Sequence, residues 1–171
     1  HKFGSAGWYN NQAFEYYARR SGRIALSTNQ DAFQNPSKDW VIQKLRMMDR
    51  KLDLLVYSLA SPKRTIKGVG ESRSAIRPID ETFHGVTVDP FDSKLREIEI
   101  DPASADEIEA TVKVMGGEDW QNWVQTLKNE GVLADNFKTI AYSYLGPDQT
   151  QAIYGRGTLG SAKSHLHETA V

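Results

Sequence analysis

A doubly wound α/β sheet is the fold class this sequence predicts, and three observations predict it. Leu52-Asp-Leu-Leu-Val-Tyr-Ser-Leu-Ala60 is a near-continuous apolar run of strand length, the pattern of a parallel strand covered on both faces. Lys138-Thr-Ile-Ala-Tyr-Ser-Tyr144 is a second buried-strand run. Segments with helical apolar spacing alternate with such runs, as the crossovers of a parallel sheet require. The stretch 61–104 breaks this rhythm and reads as an insertion carrying a β-hairpin.

Taken in order, Trp8 to Ser21 has Ala13, Phe14, Tyr17 and Ala18 at helical spacing. Asn10 or Asn11 suits its start, and Gly22 suits the position just past its end. Arg23-Ile-Ala-Leu-Ser-Thr-Asn-Gln30 reads as a short strand, with Asp31-Ala-Phe33 at its carboxyl end. Ser37 is the expected cap of a helix from Lys38 to Arg50, with Trp40, Val41, Leu45 and Met48 on its apolar face. With the run at Leu52 this makes a βαβ unit, for which a right-handed crossover is expected.

Ser61 to Gly70 reads as a basic loop. His84-Gly-Val-Thr-Val88 and Leu95-Arg-Glu-Ile-Glu-Ile100 alternate, with Asp89-Pro-Phe-Asp-Ser between them, and predict the hairpin. Ser104-Ala-Asp-Glu107 is a capping box that opens a helix to about Val114. Met115-Gly-Gly interrupts it. Glu118 to Asn129 carries Trp120, Trp123, Val124 and Leu127 and is closed by Gly131. A helix of small residues follows from about Thr158.

Composition narrows the functional classes. A chain of 171 residues suffices for one domain with a core. The net charge of -1 creates no field that favours nucleic acid or an anionic membrane. With no cysteine there is no disulfide, thiolate nucleophile or cysteine-based zinc site. His165 and His167 lie two apart, on different helix faces, so no metal site is proposed. No run of about eighteen apolar residues is present and no signal peptide is visible, so the expected compartment is the cytoplasm. The chain begins at His1 in what reads as a loop. It ends at Val171 within a continuing helix, so the domain is expected to be incomplete at both ends.

The chemistry concentrates between Tyr144 and Lys163. Two tyrosines stand ten residues apart, and Lys163 follows Tyr154 by nine. A phenol beside an ammonium makes an acid–base pair, because the cation stabilises phenolate. At about 100° per residue, a separation of nine would put Tyr154 and Lys163 on opposite faces of one helix. They converge only if the helix starts after the tyrosine, a break that Gly155 and Gly157 supply. The plainer alternative is two core aromatics and a solvated lysine. In open α/β sheets ligands lie beyond the carboxyl ends of strands. That singles out Asp31 and Ala32, Leu59 and Ala60, and Tyr144. A lone aspartate there is also an ordinary cap or turn residue, and Leu59-Ala60 is also ordinary strand-end packing. Lys63, Arg64, Lys67 and Arg73 would suit phosphate contacts, or form a solvated face. Met115-Gly-Gly-Glu-Asp-Trp120 also reads as a kink before an acidic helix start. No Gly-x-Gly-x-x-Gly follows a first strand. Either this is not a dinucleotide fold, or that turn lies before His1.

Several strings together resemble one family. They are Ser5-Ala-Gly-Trp-Tyr-Asn10, Asp31-Ala-Phe33, Val56-Tyr-Ser-Leu-Ala60, Val114-Met-Gly-Gly-Glu-Asp-Trp120, Gly131-Val-Leu-Ala-Asp135 and Tyr144-Leu-Gly146. The chain resembles the bacterial trans-2-enoyl-CoA reductases, the single-chain enoyl-ACP/CoA reductases, over essentially its whole length. Tyr154 and Lys163 match the family's Tyr-x8-Lys motif. The resemblance implies a Rossmann-like sheet of the short-chain dehydrogenase/reductase type, of which this chain is the central part. It implies NADH-dependent reduction of enoyl-CoA or enoyl-ACP thioesters in fatty acid biosynthesis, by an enzyme monomeric at full length. Tyr154 would donate the proton and Tyr144 would hydrogen-bond the substrate's thioester oxygen. Lys163 would hold the nicotinamide ribose and tune Tyr154. Asp31 and Ala32 would flank the adenine, with Leu59 and Ala60 along the cofactor and the insertion roofing the site. Two other readings stand beside it, an inactive fragment and a short-chain-type carbonyl reductase. A tyrosine at the strand end, where carbonyl reductases usually carry serine, argues against the second.

Overall fold

The computed structural model of the chain describes residues 5–143 and 146–170. It divides at Asp31 into two compact units. In the first, helix α1 runs Ala6–Arg20. Its cap is Ser5, whose Oγ accepts from the Trp8 amide at 3.2 Å, and not Asn10 or Asn11. Gly22 just past the end has φ +66°, a left-handed conformation that favours glycine. The expected strand at 23–30 does not form. A strand exists only as a paired ladder, and the described residues of this unit contain no second strand.

The second unit begins at Ala32. Helix α2, Asn35–Met47, starts earlier than expected, from Gln34, with Pro36 in its first turn. Strand β1, Leu52–Tyr57, pairs in parallel with strand β6, Leu133–Ala141, and the register shifts between Leu52 and Leu54. The second strand is therefore displaced toward the N-terminus of its predicted range. Tyr144 and Leu145 lie outside the described residues. Ser61–Gly70, expected as loop, instead contributes to a hairpin of β2, Lys63–Ile66, and β3, Gly70–Arg73. The second hairpin pairs β4, Phe83–Val88, with β5, Leu95–Ile100.

Helix α3, Ala105–Met115, has the full capping box of Ser104 and Glu107. Helix α4, Glu118–Asn129, follows after two glycines. A short 3-10 helix at Asp148–Thr150 precedes helix α5, Thr158–Thr169. No helix among the described residues is long and apolar enough to cross a membrane.

The core lies on one face of the β1–β6 pair. Ile42 and Leu45 of α2 meet Trp120, Trp123 and Leu127 of α4 over Tyr57, with Val132 below. Leu55, Ala141 and Leu166 pack against them. The alternate residues of the strands point the other way. Leu54, Val56 and Ile140 there remain 49, 43 and 46% exposed. Coverage on both faces was expected for β1, but α2 and α4 both pack on the same side of it.

Candidate active site

The start of α5 is set by a lattice of backbone contacts. Thr158 is fully buried, and its amide donates to the Arg77 carbonyl at 3.0 Å. Its hydroxyl donates to the Ala75 carbonyl, while the Ala75 amide donates to Thr111 Oγ1 at 2.9 Å. Two buried threonines thus clamp the segment after β3 between α3 and α5. Pro78 and Gly157 form a β-bridge. A β-carbon at Gly157 would strike the carbonyls of Ile153 and Arg77, and one at Gly160 would strike the Gly155 carbonyl. Gly155 and Gly157 do break the chain between Tyr154 and Lys163, as expected. At Gly157 the reason is close backbone approach, since its φ is an ordinary -99°, whereas a β-carbon at Gly155 would meet only the Gln151 side chain.

This construction puts Lys163 in the second turn of α5 and Tyr154 in the irregular turn before it. The Tyr154 amide donates to the Thr150 carbonyl at 2.8 Å. Both side chains are partly buried. Burial pushes the Lys163 ammonium below the usual lysine value. A cleft of about 750 Å³ is lined by Gly160 and Lys163 of α5 and by Ser143, Gly146, Gln151 and Gly155 opposite. The candidate Tyr144 stands in sequence between two of these lining residues and itself lies outside the described residues. A second cleft, about 430 Å³, opens along the same segment between Ile79, Phe83, Ala152 and Arg156.

Gly155-Arg-Gly-Thr-Leu-Gly160 has the glycine spacing of a phosphate-binding turn and opens a helix. Part of its backbone is already committed within the chain. Space beside its glycines is filled by the chain's own carbonyls, and the Thr158 amide is spent on Arg77. Gly157 and Gly160 thus serve the close packing of the turn.

The other candidates lie at strand and helix ends. Leu59 and Ala60 are exposed in the loop just past β1. Ala32 is partly buried, and its carbonyl accepts from Trp123 Nε1 at 3.0 Å. Asp31 is exposed and closes the first unit. Of the basic residues, Lys63 and Arg73 both pair with Glu71, at 2.9 and 2.7 Å. Arg64 is 6% exposed and turns inward. It donates to the Lys113 carbonyl at 2.8 Å and to Glu118 at 3.0 Å. Arg64 is therefore spent inside the protein, while Lys63 and Arg73 share the one Glu71 carboxylate and stay exposed.

Sequence reasoning missed a buried ionic centre between α2, α4 and β1. Lys38 is fully buried, with Nζ 3.2 Å from Asp119 Oδ1, 3.3 Å from the Phe33 carbonyl and 4.9 Å from the Trp123 ring centroid. Tyr57 donates to Asp119 Oδ2 at 3.1 Å, and Arg64 approaches Oδ1 at 3.8 Å. Burial pushes the Asp119 carboxyl up, opposed by Lys38 and Arg64. Burial, then the Asp119 charge, pushes the Tyr57 phenol far up, so it stays a donor. A signal for this was present. Asp119 shares a face with Trp123 and Leu127, four and eight residues on, and Lys38 shares one with Ile42 and Leu45. A charge on each of two apolar stripes is a pair in search of contact.

Comparison with known proteins converges on one family. The family model of the trans-2-enoyl-CoA reductase catalytic region matches residues 2–171. The chain is 49% identical over 170 residues to a trans-2-enoyl-CoA reductase (NADH) of Treponema denticola, covering 99% of this chain and 43% of that protein. It is also 49% identical over 170 residues to an enoyl-acyl-carrier-protein reductase (NADH) of Flavobacterium psychrophilum, with the same coverage. The crystal structure of the Treponema denticola enzyme in complex with NAD superposes with a TM-score of 0.93 at 48% identity, over 98% of this chain and 42% of that one. The chain therefore spans about 43% of the length of the curated relatives it matches.

Proposed function

The chain belongs to the trans-2-enoyl-CoA reductase family, and from that premise we propose that it carries the tyrosine–lysine part of an NADH-dependent enoyl-thioester reductase site. The observation that carries this reading is the cleft of about 750 Å³. Lys163 lines it, Gly155 beside Tyr154 lines it, and Ser143 and Gly146 on either side of Tyr144 line it. The described residues fit part of the cofactor. An ammonium in a cleft suits ribose hydroxyls, and small residues at a strand end let a flat ring approach the backbone. A pyrophosphate needs free backbone amides, and the first amide of α5, at Thr158, is committed to Arg77.

NADH, when bound, supplies a hydride to the β carbon of the enoyl thioester. The electron pair of the double bond then collects on the thioester oxygen as an enolate. Tyr144 donates a hydrogen bond to that oxygen, stabilising charge where it develops. Tyr154 delivers the proton that completes the saturated thioester. Lys163 holds the ribose and offsets negative charge left on the Tyr154 oxygen. Ala32 flanks the adenine, with Asp31 next to it in sequence, and Leu59 and Ala60 lie along the cofactor. We take the sheet as Rossmann-like, of the short-chain reductase type, and segment 61–104 as the roof of the site. The Pro78–Gly157 bridge supports the last point, because it ties that segment to the turn between Tyr154 and Lys163. The reading includes a cytoplasmic location, where CoA and acyl-carrier-protein thioesters occur, and a monomeric full-length enzyme.

The test is Tyr154→Phe in the intact protein that carries this chain, assayed with crotonyl-CoA and NADH. It keeps the ring and removes the proton. A fall of about 10²–10⁴-fold in kcat is expected from lost acid assistance. Activity within a factor of two of the parent removes Tyr154 from the chemistry.

A further inference from the structure

Lys38 and Asp119 take no part in the reaction proposed above, yet they are the most buried charges described, at 0 and 1% exposure. A buried ion pair is a poor way to gain stability, since well-packed apolar residues do as well or better. Such a pair does supply direction, which apolar contacts lack. The ties here run to particular places. Lys38 donates to the carbonyl of Phe33, next to Ala32. Trp123, whose ring lies under the Lys38 ammonium, donates to the carbonyl of Ala32 itself. Tyr57, the last residue of β1, donates to the second oxygen of Asp119. Leu59 and Ala60 follow two and three residues later.

We propose that Asp119 is a positioning residue for the dinucleotide. Through Lys38 it fixes the backbone at Phe33, and through Tyr57 it fixes the end of β1. The shelf at Ala32 and the shelf at Leu59-Ala60 are thereby held at one spacing. One carboxylate with two oxygens sets the distance between two cofactor-contacting segments. Arg64 reaches the same carboxylate from β2 at 3.8 Å and so joins the first hairpin to this reference point. The proposal rests on Ala32, Leu59 and Ala60 being cofactor contacts.

The experiment uses the intact protein, with NADH binding read by fluorescence titration and steady-state constants read with crotonyl-CoA. Asp119→Asn keeps the shape and the acceptor for Tyr57 but removes the charge that holds Lys38. Loss of one hydrogen bond between charged groups corresponds to roughly tenfold. The expected result is an NADH Kd and KM raised about tenfold, with kcat and the KM for crotonyl-CoA within about twofold of the parent. Tyr57→Phe, which cuts only the β1 tie, should raise the NADH constants about threefold. A purely structural role lowers the amount of active enzyme and leaves the NADH constants alone, and that result overturns the proposal. Should Asp119→Asn fail to fold, Lys38→Met with Asp119→Leu removes both charges together. A folded double variant with parental NADH affinity likewise overturns it. A parent that binds NADH but does not reduce crotonyl-CoA defeats the functional reading, while the NADH titrations still decide the role of Asp119. A parent that binds no NADH defeats both.

Discussion

Lys163 is a partly buried lysine that lines the cleft. Burial lowers its pKa, so it sheds its proton at a lower pH than a free lysine. The sign is direct. The charged form works at low pH and is lost as pH rises through that lowered value, so kcat/KM should fall on the alkaline side before an ordinary lysine would titrate. Lys163→Arg keeps its charge throughout the accessible range. Its alkaline fall should therefore move upward, at some cost in rate. An unchanged alkaline limb would assign that limb to another group. Tyr154 and Lys163 were legible as candidates because their spacing and the glycines between them are local features. Lys38 and Asp119 were half-legible. Each breaks the apolar stripe of its own helix, but their contact spans 81 residues of sequence.

Elements with local signals came out close to their expected bounds. The capping box of α3 and the Glu118–Asn129 range of α4 are examples. The β2–β3 hairpin did not, because Lys63, Arg64 and Arg73 make it look like solvated loop. Their partners Glu71 and Glu118 become visible only on folding. Residues 23–30 err the other way, with strand composition and no second strand among the described residues of their unit to complete a ladder. The start of α5 is the element on which the site depends most. Gly160 leaves no room for a β-carbon against the Gly155 carbonyl, which is backbone and cannot swing aside. Gly160→Ala should destabilise the intact protein by about 1–3 kcal/mol, as overpacking does. It should also lower kcat/KM at least about tenfold, because a small displacement of Lys163 spoils orientation. Parental activity and Tm together would show that the turn relaxes freely.

At the scale of the whole molecule, α2 and α4 cover one face of the β1–β6 pair. Leu54, Val56 and Ile140 form an exposed apolar row on the other, beside strand edges that pair with nothing further among the described residues. Such surfaces drive association. The 171-residue chain on its own is expected to bind the dye ANS and to aggregate at micromolar concentration. Leu54→Thr, Val56→Thr and Ile140→Thr together should reduce both while preserving helical circular dichroism. A monomeric parent chain that binds no dye would refute this. The same chain is expected to reduce crotonyl-CoA undetectably, since it spans only about 43% of the length of the reductases it matches.

Residue chemistry within a turn or two of the backbone settles where this chain can bend, begin a helix or present a glycine break. Ser104 and Glu107 act on each other across three residues, so their role is written locally, whereas Gly117 meets His165 and Gly157 meets Arg77 only in the fold. The family likeness is equally local, a set of short strings. Packing settles the remainder. Asp119 meets Tyr57 across 62 residues and Trp123 meets Ala32 across 91, distances at which no periodicity in one dimension carries information. Arg64 is a surface charge by composition and a buried one by position, because desolvation and partner geometry exist only once helices α3 and α4 stand beside β2.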